Sequence, residues 1–163
     1  MKKELTEHKY LLQPGFIIVY HEPMMIYGVV GSGIFIGLWD EKKEYSGCCC
    51  YLYPHTIEKE KSTGFYGNVA IRWLIKKMRE NGSQIQNLKA LLMGGATLNN
   101  SKIGQENIHI AKEILNKFKI EIVSTDIGGK MGRKFIYETQ TGHSITYKTN
   151  KLRKSDWFPY PNS

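Results

Sequence analysis

The chain has 163 residues, with 23 Lys and Arg against 15 Asp and Glu for a formal charge of +8, and 41% hydrophobic residues. That length suits one domain with its own core and is short for two, and the composition excludes collagen-like, disordered and disulfide-scaffold classes. No apolar stretch approaches the roughly 18 residues of a membrane span, and no apolar segment follows the basic start Met1-Lys2-Lys3, so neither membrane insertion nor a signal peptide is expected.

In chain order, Phe16-Ile17-Ile18-Val19-Tyr20 and Tyr27-Gly28-Val29-Val30 are apolar, β-branched runs separated by Glu22-Pro23, and both are predicted strands. Ser32 to Trp39 and Ser46 to Tyr53 read as two strands joined in a hairpin across Asp40-Glu41-Lys42-Lys43, with Pro54 ending the second. Asn68 to Arg79 carries Val69, Ile71, Leu74, Ile75 and Met78 at helical spacing, and Asn81-Gly82 supplies its stop. Leu88 to Met93 is a buried-strand pattern running into Gly94-Gly95-Ala96. Gly104 to Phe118 is an amphipathic helix with Ile108, Ala111, Ile114, Leu115 and Phe118 on its apolar face.

Ile120 to Ser124 alternates as a strand, and Asp126 to Arg133 follows as a glycine-dense connection. Phe135 to Thr139 and His143 to Tyr147 form a closing hairpin around Thr141-Gly142. The end, Trp157-Phe158-Pro159-Tyr160-Pro161, is an aromatic, proline-rich tail. Strands and two helices in this order do not alternate as βαβ units, so the expected class is α+β: layered, mostly antiparallel or mixed sheets packed with two main helices.

The three cysteines are consecutive, Cys48-Cys49-Cys50, which builds no disulfide framework and lacks the paired spacing of a zinc site. A reducing, cytoplasmic setting is expected, with no metal and no cofactor. The charge attracts acidic partners. However, no helix-turn-helix, zinc finger or aromatic RNA-binding motif accompanies it, so a solvated basic surface is the simpler reading and nucleic acid has no support.

Taken singly, the glycine clusters mark close backbone approach or positive φ. Gly128-Gly129-x-x-Gly132-Arg133 lacks the lysine and Ser/Thr of a phosphate loop. Their order and spacing carry more. Val30-Gly31-Ser32-Gly33, Gly47 to Pro54, Phe65-Tyr66, Leu91-Leu92-Met93-Gly94-Gly95-Ala96, Ile103-Gly104-Gln105-Glu106-Asn107 and Asp126 to Arg133 follow one another over residues 14 to 148. That series resembles the CheD family of chemoreceptor glutamine deamidases. Its members show Leu-Gly-Ser-Cys, then Gly-x-x-His-x-x-Leu-Pro, an aromatic-Tyr pair, Gly-Gly-Ala, Ile-Gly-x-x-Asn and Asp-x-Gly-Gly-x-x-Gly-Arg.

The resemblance implies one CheD-like domain over 1–163, with a core of about 14–148 and the aromatic tail beyond it. In the family a cysteine thiolate, helped by histidine, attacks a receptor glutamine amide; ammonia leaves and water releases glutamate. Here the cysteine position is Gly33, the histidine position is Cys50, and a threonine six before the nucleophile corresponds to Tyr27. Three coordinated departures argue for natural divergence over a single introduced change. The implied active-site loop and scaffold are Gly31, Ser32, Gly94, Gly95, Asp126, Gly128, Gly129, Gly132 and Arg133.

The expected function is binding by a catalytically impaired protein, with a chemoreceptor cytoplasmic region and a CheC-type phosphatase as the partners the resemblance implies. Two alternatives stand beside it. One is a deamidase rearranged around Cys50, with His21 or His55 as its base; the other is a basic module for acidic ligands.

Overall fold

The computed structural model describes residues 8–42 and 45–157. In chain order its elements are β1 Lys9–Leu11, β2 Ile17–Tyr20, β3 Met25–Val30, β4 Ile34–Asp40, β5 Ser46–Tyr51, α1 Gly67–Glu80, β6 Leu88–Gly94, α2 Ile103–Lys117, β7 Glu121–Ile127, β8 Gly132–Glu138, β9 Ser144–Thr149 and the one-turn α3 Lys154–Trp157. Five strands form one sheet in the order β2-β5-β4-β6-β7, and four form another in the order β1-β3-β8-β9. Most neighbours are antiparallel; β1 with β3 and β6 with β7 are parallel. The expected layered α+β class, with mixed sheets and two main helices, is what the chain adopts.

Two apolar clusters hold three layers together. On one face of the five-stranded sheet, Ile34, Ile36 and Leu38 of β4 and Leu88, Ala90 and Leu92 of β6 meet Ile71, Leu74, Ile75 and Met78 of α1 and Ala111, Ile114 and Leu115 of α2. On the other face, Phe35, Leu91 and Met93 meet Ile26 and Val30 of β3 and Phe135 and Tyr137 of β8. Each fully buried large aliphatic side chain contributes about 1.5–3 kcal/mol relative to exposure.

This double coverage explains β5, in which every residue is buried. Alternation along the strand sends Cys49 and Tyr51 to the helix side and Cys48 and Cys50 into the layer between the sheets.

Most element ends fall within two residues of expectation, and the larger differences have physical reasons. β1 lies ahead of the core's expected start at residue 14; three residues are too few to show a period, and the strand exists because Lys9, Tyr10 and Leu11 pair with Met25, Ile26 and Tyr27. β7 continues through Asp126 and Ile127, which sequence reading placed in the glycine connection, because β6 offers ladder partners as far as Gly94. The connection is therefore limited to residues 128–131, and β8 begins at Gly132. The tail beyond Trp157 lies outside the described residues.

Candidate functional site

β3 belongs to the four-stranded sheet and β4 to the five-stranded one, so Gly31-Ser32-Gly33 carries the chain across from one layer to the other. All three carbonyls of this crossing are captured. Gly31 O accepts from Ala96 N at 3.1 Å, Gly33 O from Gly95 N at 2.8 Å, and Ser32 O from the Asn107 side-chain amide at 2.8 Å. Gly94 approaches so closely that a β-carbon there would overlap the Gly33 carbonyl, and its φ of +114° already disfavours a side chain.

Asn107, the last residue of the Ile103-Gly104-Gln105-Glu106-Asn107 motif, is not singled out by the sequence but is central to this corner. Its amide also donates to Leu52 O at 2.9 Å, and the Tyr51 hydroxyl donates to the Asn107 carbonyl at 2.6 Å. It thus ties the first turns of α2 to the end of β5 and to the crossing. The signal was present: Gly104, Asn107, Ala111 and Ile114 form the buried stripe of α2, and a polar residue on such a stripe requires partners.

The crossing and β5 meet at the point where the resemblance places catalysis. A β-carbon on Gly33 would stand 2.5 Å from the Tyr51 carbonyl oxygen and 3.3 Å from Leu52 Cδ2. Cys50 is next in the chain, but its side chain packs in the inter-sheet cluster. Burial pushes its thiol up to about 12, so the nucleophilic thiolate is scarce at neutral pH.

Neither candidate base is at hand, and among the described residues no histidine hydrogen-bonds a cysteine sulfur. His21 bonds the Asn81 side chain at 3.0 Å and packs edge-on to Tyr45, and His55 is exposed beside Lys102 and His109.

Tyr27, the third position that the resemblance implies, is not brought to this corner. Ile26 and Val30 of β3 point into the inter-sheet cluster, and Tyr27 alternates to the opposite, outward face. Register in the four-stranded sheet thus separates it from Gly33 and Cys50.

The remaining scaffold residues do assemble. Arg133, 2% exposed, donates from Nη1 to Gly94 O and Met131 O and from Nη2 to Gly128 O and to Asp126 Oδ1 at 3.1 Å. Gly128 N donates to Gly94 O, and Thr97 N to Gly129 O. Burial raises the Asp126 carboxyl, but hydrogen bonds from Arg133 and Thr146 and the charges of Arg133 and Lys148 outweigh it and hold the group below its ordinary range. Gly132 makes room for Leu152, which a β-carbon would strike. The Gly94-Gly95 turn that grips Gly33 is thus itself held from behind by the β7–β8 connection.

Four lysines face carboxylates: Lys76, Lys89, Lys134 and Lys148 lie against Glu80, Glu121, Asp156 and Asp126. Among the described residues no cluster of three or more His, Cys, Asp or Glu is placed to hold a metal. No helix among them is long and apolar enough to cross a membrane.

Fold and geometry define a class: a helix-covered, two-sheet α+β protein in which a glycine turn and an asparagine grip the crossing between sheets. The family described as "CheD chemotactic sensory transduction" matches residues 53–148, a stretch that starts after Gly33 and Cys50. A probable chemoreceptor glutamine deamidase CheD of Sulfurimonas denitrificans is 37% identical over 142 residues, covering 83% of this chain and 90% of that one. Proteins of the same description from Trichlorobacter lovleyi and Methanococcus maripaludis are 34% and 31% identical, over 82% and 85% of this chain and 86% and 94% of theirs. The chain belongs to the CheD family.

Proposed function

We propose that this CheD-family protein acts by binding, engaging a chemoreceptor cytoplasmic region and a CheC-type phosphatase without converting receptor glutamine to glutamate. One observation carries the reading: residue 33 has no side chain, and the Tyr51 carbonyl occupies the space a side chain would enter. Covalent deamidation needs a sulfur there to attack the amide carbon and form the thioester from which ammonia departs. Loss of a nucleophile costs about 10^6-fold in kcat in enzymes built around one. The scaffold around the position is nevertheless complete, which favours retention for recognition.

A nucleophilic Cys50 has no observation in its favour, since the thiol is in the core and lacks a base. A basic module for acidic ligands rests on the net charge of +8 alone, with no nucleic-acid-binding motif beside it.

The test is to mix the protein with the cytoplasmic fragment of a chemoreceptor from its own genome, following binding by calorimetry and deamidation by ammonia release and a mass gain of about one dalton per glutamine. The Sulfurimonas denitrificans relative serves as the reference. Binding without a mass shift is expected. Conversion at a rate comparable to the relative's, or no heat of binding, overturns the reading.

A further inference from the structure

The outward face of the four-stranded sheet holds a hollow of about 660 Å³, with α3 as one wall. Pairing sets Leu11, Tyr27, Ile136 and Ile145 in one row across β1, β3, β8 and β9, and Val29, Lys134 and Tyr147 in the next. Ile145 and Tyr147 are 71% and 68% exposed. Contiguous apolar surface of this kind marks a contact surface. The charge beside it is already met: Lys134 pairs with Asp156 at 3.0 Å, and Lys9 shares its row with Glu138 across Met25. An uncharged, apolar occupant therefore suits the face best.

We propose that residues 158–163 of this chain, Phe158-Pro159-Tyr160-Pro161-Asn162-Ser163, lie across the hollow as a strap, with the Phe158 and Tyr160 rings on the apolar row. α3 delivers them to it. Ser155 and Asp156 line the hollow, the Lys134–Asp156 pair holds the helix to β8, and Asp156 also accepts from Arg153 N at 2.7 Å. One turn earlier, Leu152 packs where Gly132 leaves room for it. The chain thus leaves α3 beside the hollow. Six extended residues at about 3.1 Å each reach roughly 19 Å, and the four strands make a platform roughly 14 Å wide.

The chemistry of the segment fits that position. It carries no charged side chain, and each aromatic precedes a proline, which biases it toward extended backbone and lowers the cost of ordering it. Pro159 and Pro161 have no N–H to donate, so the segment is unsuited to pairing as a further strand on the β9 edge. Contact through its rings on the sheet face remains, where Tyr27 and Tyr147 supply the aromatic lining that proline-rich segments favour.

A second copy fits less well. A platform of roughly 14 by 13 Å is far below the ~800 Å² per partner of a stable interface, and two chains at +8 repel. A tethered segment needs no such area, because its local concentration is on the order of millimolar. Once docked, the strap closes the outward face, and any partner for that face must displace it. Nothing in this depends on the chemistry at Gly33.

The test is nuclear magnetic resonance on the isotope-labelled full chain. Nuclear Overhauser contacts are expected between the Ile145 methyl groups and the rings of Phe158 or Tyr160, with the Ile145 signals displaced by the ring currents. Phe158→Ser combined with Tyr160→Ser should abolish that displacement and leave the methyl signals of Ile34 and Leu92, in the helix-side core, where they were. The same variant should raise the fluorescence of an apolar dye, and adding Ile145→Ser and Tyr147→Ser should remove the rise. Absence of the contacts, or Ile145 signals indifferent to the Phe158/Tyr160 change, overturns the proposal. So do contacts that appear only between differently labelled chains in a mixed sample, which assign the face to a second copy.

Discussion

The carbonyl oxygen of Tyr51 stands 2.5 Å from where a β-carbon on Gly33 would be. That oxygen is not free to retreat: the Tyr51 hydroxyl is anchored to the Asn107 carbonyl, and the Asn107 amide holds the next carbonyl, of Leu52. Position 33 is therefore built for glycine in this chain, beyond merely lacking a cysteine.

Placing at position 33 the cysteine that the resemblance implies should consequently cost stability and, on the proposed function, yield no activity. Gly33→Cys is expected to lower unfolding free energy by about 1–3 kcal/mol, the usual range for forcing atoms into filled space. Adding Cys50→His places an imidazole in the inter-sheet cluster and should destabilise further. Neither variant should release ammonia from a receptor fragment above background. Turnover by the double variant, or a melting temperature unchanged in Gly33→Cys, would show that the corner is open after all.

The three cysteines should be inert in the native protein and reactive only on unfolding. Burial raises all three thiols, Cys50 to about 12 from an ordinary value near 9. A thiol-specific chromogenic reagent at pH 8 should therefore titrate none of them until denaturant is added, and then all three. The same shift contributes to the alkaline limb of stability, beside the buried hydroxyls of Tyr51 and Tyr137, which burial also raises. Below about pH 9 the thiols are protonated in both states and nothing changes. Above it the unfolded chain ionises while the folded one does not, so stability falls progressively between about pH 9 and 12. Denaturant midpoints across that range should fall less steeply in Cys50→Ala than in the parent, each measured against its own value at pH 8. Rapid labelling of native protein at pH 8 would refute the burial argument.

Much of the fold was legible because its signals are local. The stripe Ile71, Leu74, Ile75, Met78 and the stop at Asn81-Gly82 mark α1 without reference to anything distant, and the turn at Thr141-Gly142 marks the β8–β9 hairpin. What escaped was set by partners far along the chain. β1 is defined only by its ladder with β3, and the last residues of β7 by the reach of β6. At the crossing, the resemblance points to Gly33, Cys50 and Tyr27 alike, but the strand parity that turns Tyr27 outward depends on which sheet β3 joins. Asn107 was visible as a motif letter; its two distant carbonyl partners were not.

Arg133 should be the most sensitive charged residue in the chain. Its guanidinium donates to the carbonyls of Gly128 and Met131 and to the Asp126 carboxylate, and Arg133→Met would leave these acceptors short of donors. A loss on the order of 3 kcal/mol is expected by urea unfolding at pH 7. Asp126 supplies the pH dependence. Its carboxyl is depressed in the folded state, so its contribution is complete above the ordinary carboxylate range near pH 4 and disappears as pH falls through the lowered native value. Asp126→Asn should therefore lose less stability than the parent between pH 5 and pH 2.5. An identical acid limb in the two proteins would show that the pair is not coupled to folding.

Two glycines with positive φ should respond to alanine very differently, because only one of them is also short of space. At Gly94, φ is +114° and a β-carbon would overlap the Gly33 carbonyl, whereas at Gly128, φ is +81° with nothing within 4 Å. Gly128→Ala meets only the backbone penalty of a left-handed conformation, about 1–2 kcal/mol. Gly94→Ala adds to that penalty a collision with the crossing loop, and relieving it breaks the Gly95 N to Gly33 O hydrogen bond, for a total on the order of 3–4 kcal/mol. Thermal unfolding should thus separate the two variants clearly. Hydrogen exchange at the Gly95 and Ala96 amides should speed up in Gly94→Ala while staying close to the parent in Gly128→Ala. Equal melting temperatures, or Gly95 protection untouched in Gly94→Ala, would mean that the Gly94 turn does not hold the crossing in place.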